Sequence, residues 1–152
     1  MFASQLNAFM PSMQFGVVPW FFDDETNTIV KKYVELRETV IFLAINDLGL
    51  DGQPIIRPLW WSEPENQQLF NITDQFLVGD RILVAPILDQ GITQRNVYFP
   101  GYTRWYDPED KCSYNGSTAY NNIQASLDRI LYFYSEEFAL KLKLNNKIMP
   151  CK

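Results

Sequence analysis

Apolar residues within residues 24–48 recur three or four positions apart, which is the spacing of one face of an α-helix. The recurring residues are Ile29, Tyr33, Leu36, Val40 and Leu43. Asp23 or Asp24 precedes them at the position of an N-cap, and Glu25 adds negative charge at the helix start. We therefore predict a helix over residues 24–48, ended by Gly49.

From Pro54 onward, the pattern changes to that of short strands separated by turn residues. The six candidate strands are "PIIRPLWW", "QFLVG", "RILVAPIL", "RNVYF", "TRWYD" and "RILYFY". Their succession without intervening helices predicts an antiparallel β-sandwich over residues 57–138. The side chains that we expect in its core include Phe76, Ile82, Val84 and Ile87.

The two ends of the chain have weaker patterns. Residues 4–10, "SQLNAFM", are predicted to form a short strand, and the loop "PSMQFGVVPW" follows it. One strand and one helix cannot bury their own apolar faces, so residues 1–56 are expected to be a piece of something larger. Residues 139–152 alternate weakly and are predicted to be a frayed tail.

Composition and charge exclude several classes of protein. The 152 residues are 47% apolar, enough for a packed core, and the chain is therefore expected to be globular. The formal charge is −5 and the basic residues are scattered, so nucleic acid is discounted as a partner. No apolar stretch reaches the roughly 18 residues of a membrane span, and no signal sequence follows Met1. The sequence leaves the localisation undecided.

The chain offers few ligands for a metal ion, because it has no histidine and its two cysteines lack CxxC spacing. We expect no metal and no cofactor. Two unreactive thiols are favoured over a disulfide between Cys112 and Cys151. The tripeptides "NIT" at Asn71 and "NGS" at Asn115 match the N-glycosylation acceptor pattern, which matters only in a secreted or lumenal chain. Asn115, in the turn-rich "SYNGST", is the better candidate.

One ordered set of motifs resembles the C-terminal part of glycoside hydrolase family 31, over roughly residues 4–135. It consists of "QLNAFMPSMQF", the helix, "PIIRPLWW", "DQFLVGDRILVAPIL", "RNVYFPG" and "RWYD". "MPSMQF", "PW" and "RPLWW" are most similar to the myogenesis-regulating branch. The resemblance implies an α+β fragment, in which the last strand and helix of a (β/α)8 barrel precede a β-sandwich that starts at about residue 57. It also implies retaining hydrolysis of α-linked O-glycosyl bonds.

The resemblance places a substrate-binding loop after the first strand, because barrel enzymes carry their sites on the loops that follow the strands. Gln14 is expected to hydrogen-bond a sugar hydroxyl and Trp20 to stack on a pyranose face. The alternative is that Gln14 is solvated and that Trp20 packs under the helix start. Many family members have an arginine and, two residues later, a histidine where this chain has Gln14 and Gly16. That difference points to an α-galactoside or another α-linked sugar.

No residue of this chain is predicted to be catalytic, because the family's carboxylate pair lies on earlier barrel strands. We interpret the acidic residues here as charges of helix starts, helix surfaces and turns. They are Asp23, Asp24, Glu25, Glu35, Glu38 and the "DPED" of residues 107–110. The chain alone is therefore expected to be inactive, with a carbohydrate substrate bound only in its full-length parent. Family members of this branch are lumenal or membrane-tethered.

Two other functions remain open at this point. A stand-alone carbohydrate-binding sandwich would use tryptophans as its platform. Trp60, Trp61 and Trp105 are nevertheless expected mainly in the core, with one of the first two pointing inward and the other toward the barrel segment. A non-catalytic interaction protein would associate through its uncovered barrel face, with the apolar "FGVVPWFF" as docking surface.

Overall fold

The computed structural model describes residues 6–46, 52–89, 91–126, 128–144 and 149–151. The chain divides into two compact units, Met1–Ile56 and Arg57–Lys152. None of the helices in these described ranges has the length and apolarity that crossing a bilayer requires.

The predicted helix is confirmed in the first unit. Helix α1 spans Asp24–Leu36, a π-helical turn follows over Arg37–Ile41, and α2 spans Phe42–Asn46. The N-cap is Asp23, whose carboxylate accepts a hydrogen bond of 2.7 Å from the backbone N–H of Thr26. Gly49, predicted to end the helix, lies outside the described residues.

The strand predicted over residues 4–10 is wrong for the residues that the structure describes. Leu6 and Asn7 are helical and the next residues form a turn. The backbone N–H groups of Phe9 and Met10 donate to the carbonyls of Leu6 and Asn7, at 3.1 and 3.2 Å. Local bonds thus satisfy these backbone groups, as buried polar groups require, where a strand would need a neighbour to pair with.

The remainder of the chain is mainly antiparallel β-sheet, and each of the six predicted segments contains one strand. The nine strands within the described ranges are β1 Ile56–Pro58, β2 Phe76–Val78, β3 Ile82–Ala85, β4 Gln94–Phe99, β5 Arg104–Asp107, β6 Cys112–Asn115, β7 Thr118–Gln124, β8 Leu131–Ser135 and β9 Met149–Pro150. Seven of them form one sheet in the order β1-β2-β3-β8-β5-β6-β9, and β4 pairs with β7 in a second sheet.

The two sheets share one hydrophobic core. Leu83 and Phe133 of the large sheet and Val97, Phe99 and Ile123 of the small one belong to the same buried cluster. Side chains of both sheets thus meet between them, which is the layering of a β-sandwich.

The predicted core residues Ile82 and Val84 are fully buried, but their side chains alternate with that of Leu83 and so lie on the other face of β3. On that face they pair in register with Tyr134 and Tyr132 of β8. Strand β3 is therefore buried on both faces.

The C-terminal residues are more ordered than predicted. Helix α3 spans Glu136–Lys141, with Ser135 as N-cap and with Phe138 and Ala139 buried. Strand β9 pairs in parallel with β6 at the edge of the large sheet. The prediction of a frayed tail is therefore wrong for the described residues; the connecting residues 145–148 lie outside them.

The two cysteines form a disulfide, so the prediction of two free thiols is wrong. Cys112 on β6 and Cys151 after β9 have Cα atoms 4.9 Å apart. The backbone N–H of Cys151 also donates to the carbonyl of Ser113 at 3.0 Å. The parallel pairing brings the two side chains together, and the sequence spacing of 39 residues gives no hint of it.

Candidate functional site

The predicted sugar-binding residues lie on an exposed loop of the first unit, residues 12–22, which we call the substrate loop. Gln14 is exposed, and Trp20 is 71% exposed. Trp20 lies in a short 3-10 helix, Pro19–Phe21, which starts with proline, a residue well suited to the first helical position. The N–H of Phe22 donates to the carbonyl of Pro19 at 3.0 Å and closes this turn.

A groove of about 390 Å³ separates the substrate loop from α1. Its lining residues are Phe15, Val18, Pro19, Trp20, Asn27, Val30, Lys31, Val34 and Glu35. Most of its walls are apolar, and Asn27, Lys31 and Glu35 supply the polar groups. The structure brings Trp20 to this groove, whereas Gln14 lies outside its lining.

Arg37, which the sequence analysis did not single out, holds the segment before the substrate loop. It is 6% exposed, and its guanidinium donates to the carbonyl oxygens of Asn7, Ala8, Met10 and Pro11. Burial lowers the pKa of this guanidinium. An arginine on an amphipathic helix is normally a surface residue, so no local signal distinguishes Arg37 in the sequence.

The tryptophans of the second unit divide between core and surface. Trp105 is buried, and its indole N–H donates to the carbonyl of Pro100 at 2.8 Å. Trp60 is half-buried and stacks on Phe70 with ring centroids 5.6 Å apart. Trp61 is 40% exposed, so of the adjacent pair it is the one that faces outward.

Glu63 is the acceptor for four donors of the second unit. Its carboxylate receives hydrogen bonds from the Tyr98 hydroxyl at 2.8 Å, the Asn66 amide at 3.1 Å, the Ser117 hydroxyl at 3.1 Å and the Gly101 N–H at 2.5 Å. Burial opposes ionisation, but these hydrogen bonds together lower the pKa of Glu63. Burial and this carboxylate raise the pKa of Tyr98 to about 12. A carboxylate that accepts this many hydrogen bonds holds neighbouring segments together. Because its pKa is lowered, it is also poorly suited to accept a proton from a substrate.

The "DPED" segment is a turn, as predicted, and its first residue is fully buried. Asp107 accepts hydrogen bonds from the N–H groups of Glu109 and Asp110 and forms an ion pair of 2.6 Å with Arg129. Burial raises the pKa of Asp107 despite the charge of Arg129. Arg129 also forms ion pairs with Asp110 at 3.0 Å and Glu109 at 3.5 Å, so a single arginine bridges the acidic residues of this turn. Within the described ranges, no group of three metal-ligating side chains is found.

Both predicted glycosylation sites lie on the surface of the second unit. Asn71 is exposed at the end of a 3-10 helix, Gln67–Asn71. Asn115 is exposed where β6 turns into β7. The hydroxyl of Ser117 in the second tripeptide is bonded to Glu63 and to the carbonyl of Gly101.

Comparison with known proteins identifies relatives for most of the chain. The mouse myogenesis-regulating glycosidase is 35% identical over 133 residues, which are 85% of this chain and 18% of that protein. Alpha-glucosidase 2 of Bacillus thermoamyloliquefaciens is 32% identical over 127 residues, 82% of this chain and 16% of that protein. The chain thus spans about a fifth of the length of these relatives or less.

Solved structures agree with the sequence relatives. A GH31 α-xylosidase from a soil metagenome, complexed with xylose, matches with a TM-score of 0.73 and 28% identity, over 88% of this chain and 20% of its own. The GH31 dextranase of Flavobacterium johnsoniae, complexed with glucose, matches with a TM-score of 0.75 and 30% identity, over 88% and 17%. The model of the glycosyl hydrolase family 31 C-terminal domain matches residues 52–138, more than half of the chain. The chain therefore belongs to glycosyl hydrolase family 31.

Proposed function

We propose that this chain is the C-terminal portion of a glycoside hydrolase that cleaves the O-glycosyl bonds of α-linked sugars with retention, as part of carbohydrate metabolism. The observation that carries the proposal is the match of residues 52–138 to the family's C-terminal domain. Relatives named as glycosidases support it, because their similarity covers 82 to 85% of this chain. The similarity to these relatives therefore extends beyond residues 52–138 into the first unit.

Catalysis in this proposal is divided between parts of a longer polypeptide. Residues 1–56 contribute the terminal segment of a (β/α)8 barrel, and the nucleophile and the acid/base come from earlier barrel strands. Three carboxylates of this chain favour this division, because each is already engaged in a structural contact. Asp23 caps α1, Glu63 accepts hydrogen bonds from several segments, and Asp107 forms an ion pair with Arg129. The 152-residue chain alone is then inactive.

Gln14 and Trp20 are the residues of this chain that we propose to contact the sugar. Both are exposed on the substrate loop, and Trp20 offers an aromatic face on which a pyranose ring can stack. A neutral amide at residue 14 can donate and accept at once, which suits a sugar hydroxyl. The substrate class that we propose is an α-galactoside or another α-linked sugar in preference to an α-glucoside.

The test uses the 152-residue chain and the longer polypeptide obtained by sequencing its transcript upstream of Met1. We expect no turnover of aryl α-glucosides, α-galactosides or α-xylosides by the chain, and hydrolysis with retained anomeric configuration by the longer protein. Gln14→Ala in the longer protein is expected to lower kcat/KM by the equivalent of about 1 kcal/mol. Turnover by the chain that Asp23→Asn or Asp24→Asn abolishes would overturn the proposal, as would a transcript that encodes no barrel.

A non-catalytic carbohydrate-binding or interaction module is the second candidate. It is favoured by the exposed ring of Trp61 beside the stacked Trp60 and Phe70. Calorimetric titration of the chain with α-linked oligosaccharides distinguishes the two functions. A carbohydrate-binding module should bind them through its exposed aromatic rings, and Trp61→Ala should abolish that binding. For an interaction protein, the exposed apolar residues Val17, Phe21 and Phe22 would be the surface for association.

We also propose Asn71 and Asn115 as glycan acceptors if the longer protein enters the secretory pathway. Both side chains are exposed, as the modification requires. A mass shift that peptide N-glycosidase removes, and that the double change to Gln prevents, is the expected result.

A further inference from the structure

Hydrogen bonds hold both ends of the substrate loop to the same helical segment, residues 24–41. At its C-terminal end, Asp23 caps α1 through the N–H of Thr26. At its N-terminal end, the carbonyl of Pro11 accepts a hydrogen bond of 2.9 Å from Arg37, three turns further along the helix. The residues between these two anchors are mostly exposed. The path of the loop is therefore decided at its ends.

Arg37 is suited to this task because its planar guanidinium holds several donors in fixed directions. Nη1 donates to the carbonyls of Asn7, Ala8 and Met10 at 3.2, 2.9 and 2.5 Å, while Nη2 donates to that of Pro11. The guanidinium also lies over the ring of Phe42, whose centroid is 4.8 Å from the guanidinium carbon. A buried charge of this kind is tolerated only when such bonds replace its hydration.

Two further features support the anchoring. Phe9, fully buried, packs against the ring of Tyr33 on α1 with centroids 6.5 Å apart. The π-helical turn begins at Arg37 itself, and single π turns occur frequently at functional sites. The segment before the loop is thus held by packing on one turn of the helix and by charge-assisted hydrogen bonds on the next.

We propose that Arg37 is a positioning residue, which fixes the substrate loop through the carbonyls of residues 7–11 and thereby places Gln14 against the bound sugar. Only two residues lie between Pro11 and Gln14, so a shift at the anchored carbonyl moves the amide directly. This inference rests on the proposed function, since it assigns Gln14 its sugar contact. Arg37 itself touches no substrate in this proposal.

The first experiment needs no activity. Hydrogen exchange of the 152-residue chain is compared among wild type, Arg37→Lys and the control Glu38→Gln, which removes an exposed charge next to Arg37 in the chain. Lysine keeps the charge but cannot bond four carbonyls, so amides of residues 8–14 should exchange about tenfold faster in Arg37→Lys and unchanged in the control. Equal exchange in all three proteins would overturn the anchoring.

If the variants fold poorly, hydrogen exchange of the wild-type chain alone still tests the anchoring. The amides of Phe9 and Met10 should be protected more strongly than those of residues 14–17, because only the former belong to the anchored turn. Equal protection of the two groups would contradict the proposal.

The second experiment is a double-mutant cycle on kcat/KM in the longer protein, with Arg37→Lys, Gln14→Ala and both changes together. If Arg37 acts through Gln14, Arg37→Lys lowers kcat/KM by about tenfold alone and by little in the Gln14→Ala background. Losses that multiply would overturn the positioning role and leave the sugar contact intact. Unchanged kinetics of Gln14→Ala would instead overturn the sugar contact in the proposed function, while hydrogen exchange still reports on the anchoring.

Discussion

Through one carboxylate, Glu63 joins its own loop to three other parts of the second unit. Its donors come from its own loop, from strand β4, from the turn at Gly101 and from the hairpin between β6 and β7. Hydrogen bonds to a charged acceptor contribute more to stability than neutral ones, so these bonds are strongest while the carboxylate is ionised. The stability of this unit should therefore depend on the charge of Glu63.

Because the pKa of Glu63 is lowered from 4.5 in the folded chain, its contribution is complete above that value and is lost as the pH falls through the folded pKa. We expect Glu63→Gln to lower the free energy of unfolding by about 1–3 kcal/mol at pH 7. The difference from wild type should shrink as the pH is lowered from 6 to about 3.

Urea denaturation across this pH range measures the effect. Glu65→Gln, at an exposed position of the same loop, is the control and should follow wild type throughout. A difference that stays constant with pH would contradict the assignment of the effect to the charge.

Gly116 has no room for a side chain. A Cβ at this position would collide with the carbonyl oxygens of Gly101 and Thr103, which are backbone atoms and cannot rotate away. Gly116→Ala should therefore lower the free energy of unfolding by about 1–3 kcal/mol. The change preserves the "NxS" tripeptide at Asn115, so glycosylation does not confound it.

Thermal unfolding of Gly116→Ala and Gly16→Ala separates steric collision from the general effect of adding a methyl group. At Gly16 a Cβ would meet no heavy atom within 4 Å, so a change below about 0.5 kcal/mol is expected. Equal destabilisation by the two substitutions would show that Gly116 is not constrained as described.

At the residue scale, the sequence predicts positions better than contacts. An N-cap at Asp23 or Asp24 follows from local spacing, and the structure has it at Asp23. Arg37 and Glu63 depend on partners far along the chain, for which a single sequence carries no signal. The exposed Gln14 and Trp20 are placed by the structure on the predicted loop, but their contact with a sugar stays a prediction.

At the scale of elements, β3 is the most deeply buried strand that the structure describes in the large sheet, with both of its faces covered. Leu83 faces the shared core and is fully buried. We expect Leu83→Ala to lower the free energy of unfolding of the second unit by about 2–5 kcal/mol, because it removes buried methyl groups and leaves a cavity.

The matched control is Leu88→Ala, just beyond the same strand, where the side chain is 61% exposed. Its cost should be a small fraction of that of Leu83→Ala. Chemical denaturation followed by tryptophan fluorescence gives both values, and similar costs would contradict the core assigned to the two sheets.

Strand β7 and residues 4–10 show two ways in which the sequence misleads about an element. Strand β7 is exposed at most of its positions, and its "TAYNNIQ" lacks the apolar run by which strands are recognised. Residues 4–10 failed in the opposite way, since their apolar residues suggested a strand where the described residues form a turn. Partners far along the chain, strand β4 for β7 and the helix with Arg37 for residues 8–11, accompany both outcomes. Periodicity within a segment carries no information about such partners.

At the scale of the whole molecule, the similarity to family members extends over both units. Within the second unit, the disulfide links strand β6, next to the edge of the large sheet, to the residues after α3. Strand β9 has only two residues, so its pairing with β6 is weak without the covalent bond. A disulfide that closes a loop of 39 residues is expected to contribute about 4 kcal/mol by restricting the unfolded chain.

Reduction should therefore lower the urea midpoint of the second unit and release the protection of the Cys151 amide, which is bonded to Ser113, in hydrogen exchange. The double variant Cys112→Ser and Cys151→Ser should match the reduced wild type and show no response to reductant. An unchanged midpoint after complete reduction would contradict the stabilising role.

The disulfide also changes how proteolysis affects the chain. Lys141 and Lys143 are exposed between the two cysteines, so trypsin can cut there. The residues beyond such a cut would remain covalently attached through Cys151, and the mass of the nicked protein would rise by one water molecule with no peptide lost. Only reduction would release the fragment. In an oxidising and protease-rich environment, strand β6 would thus keep β9 as its neighbour after the backbone that connects the two had been severed.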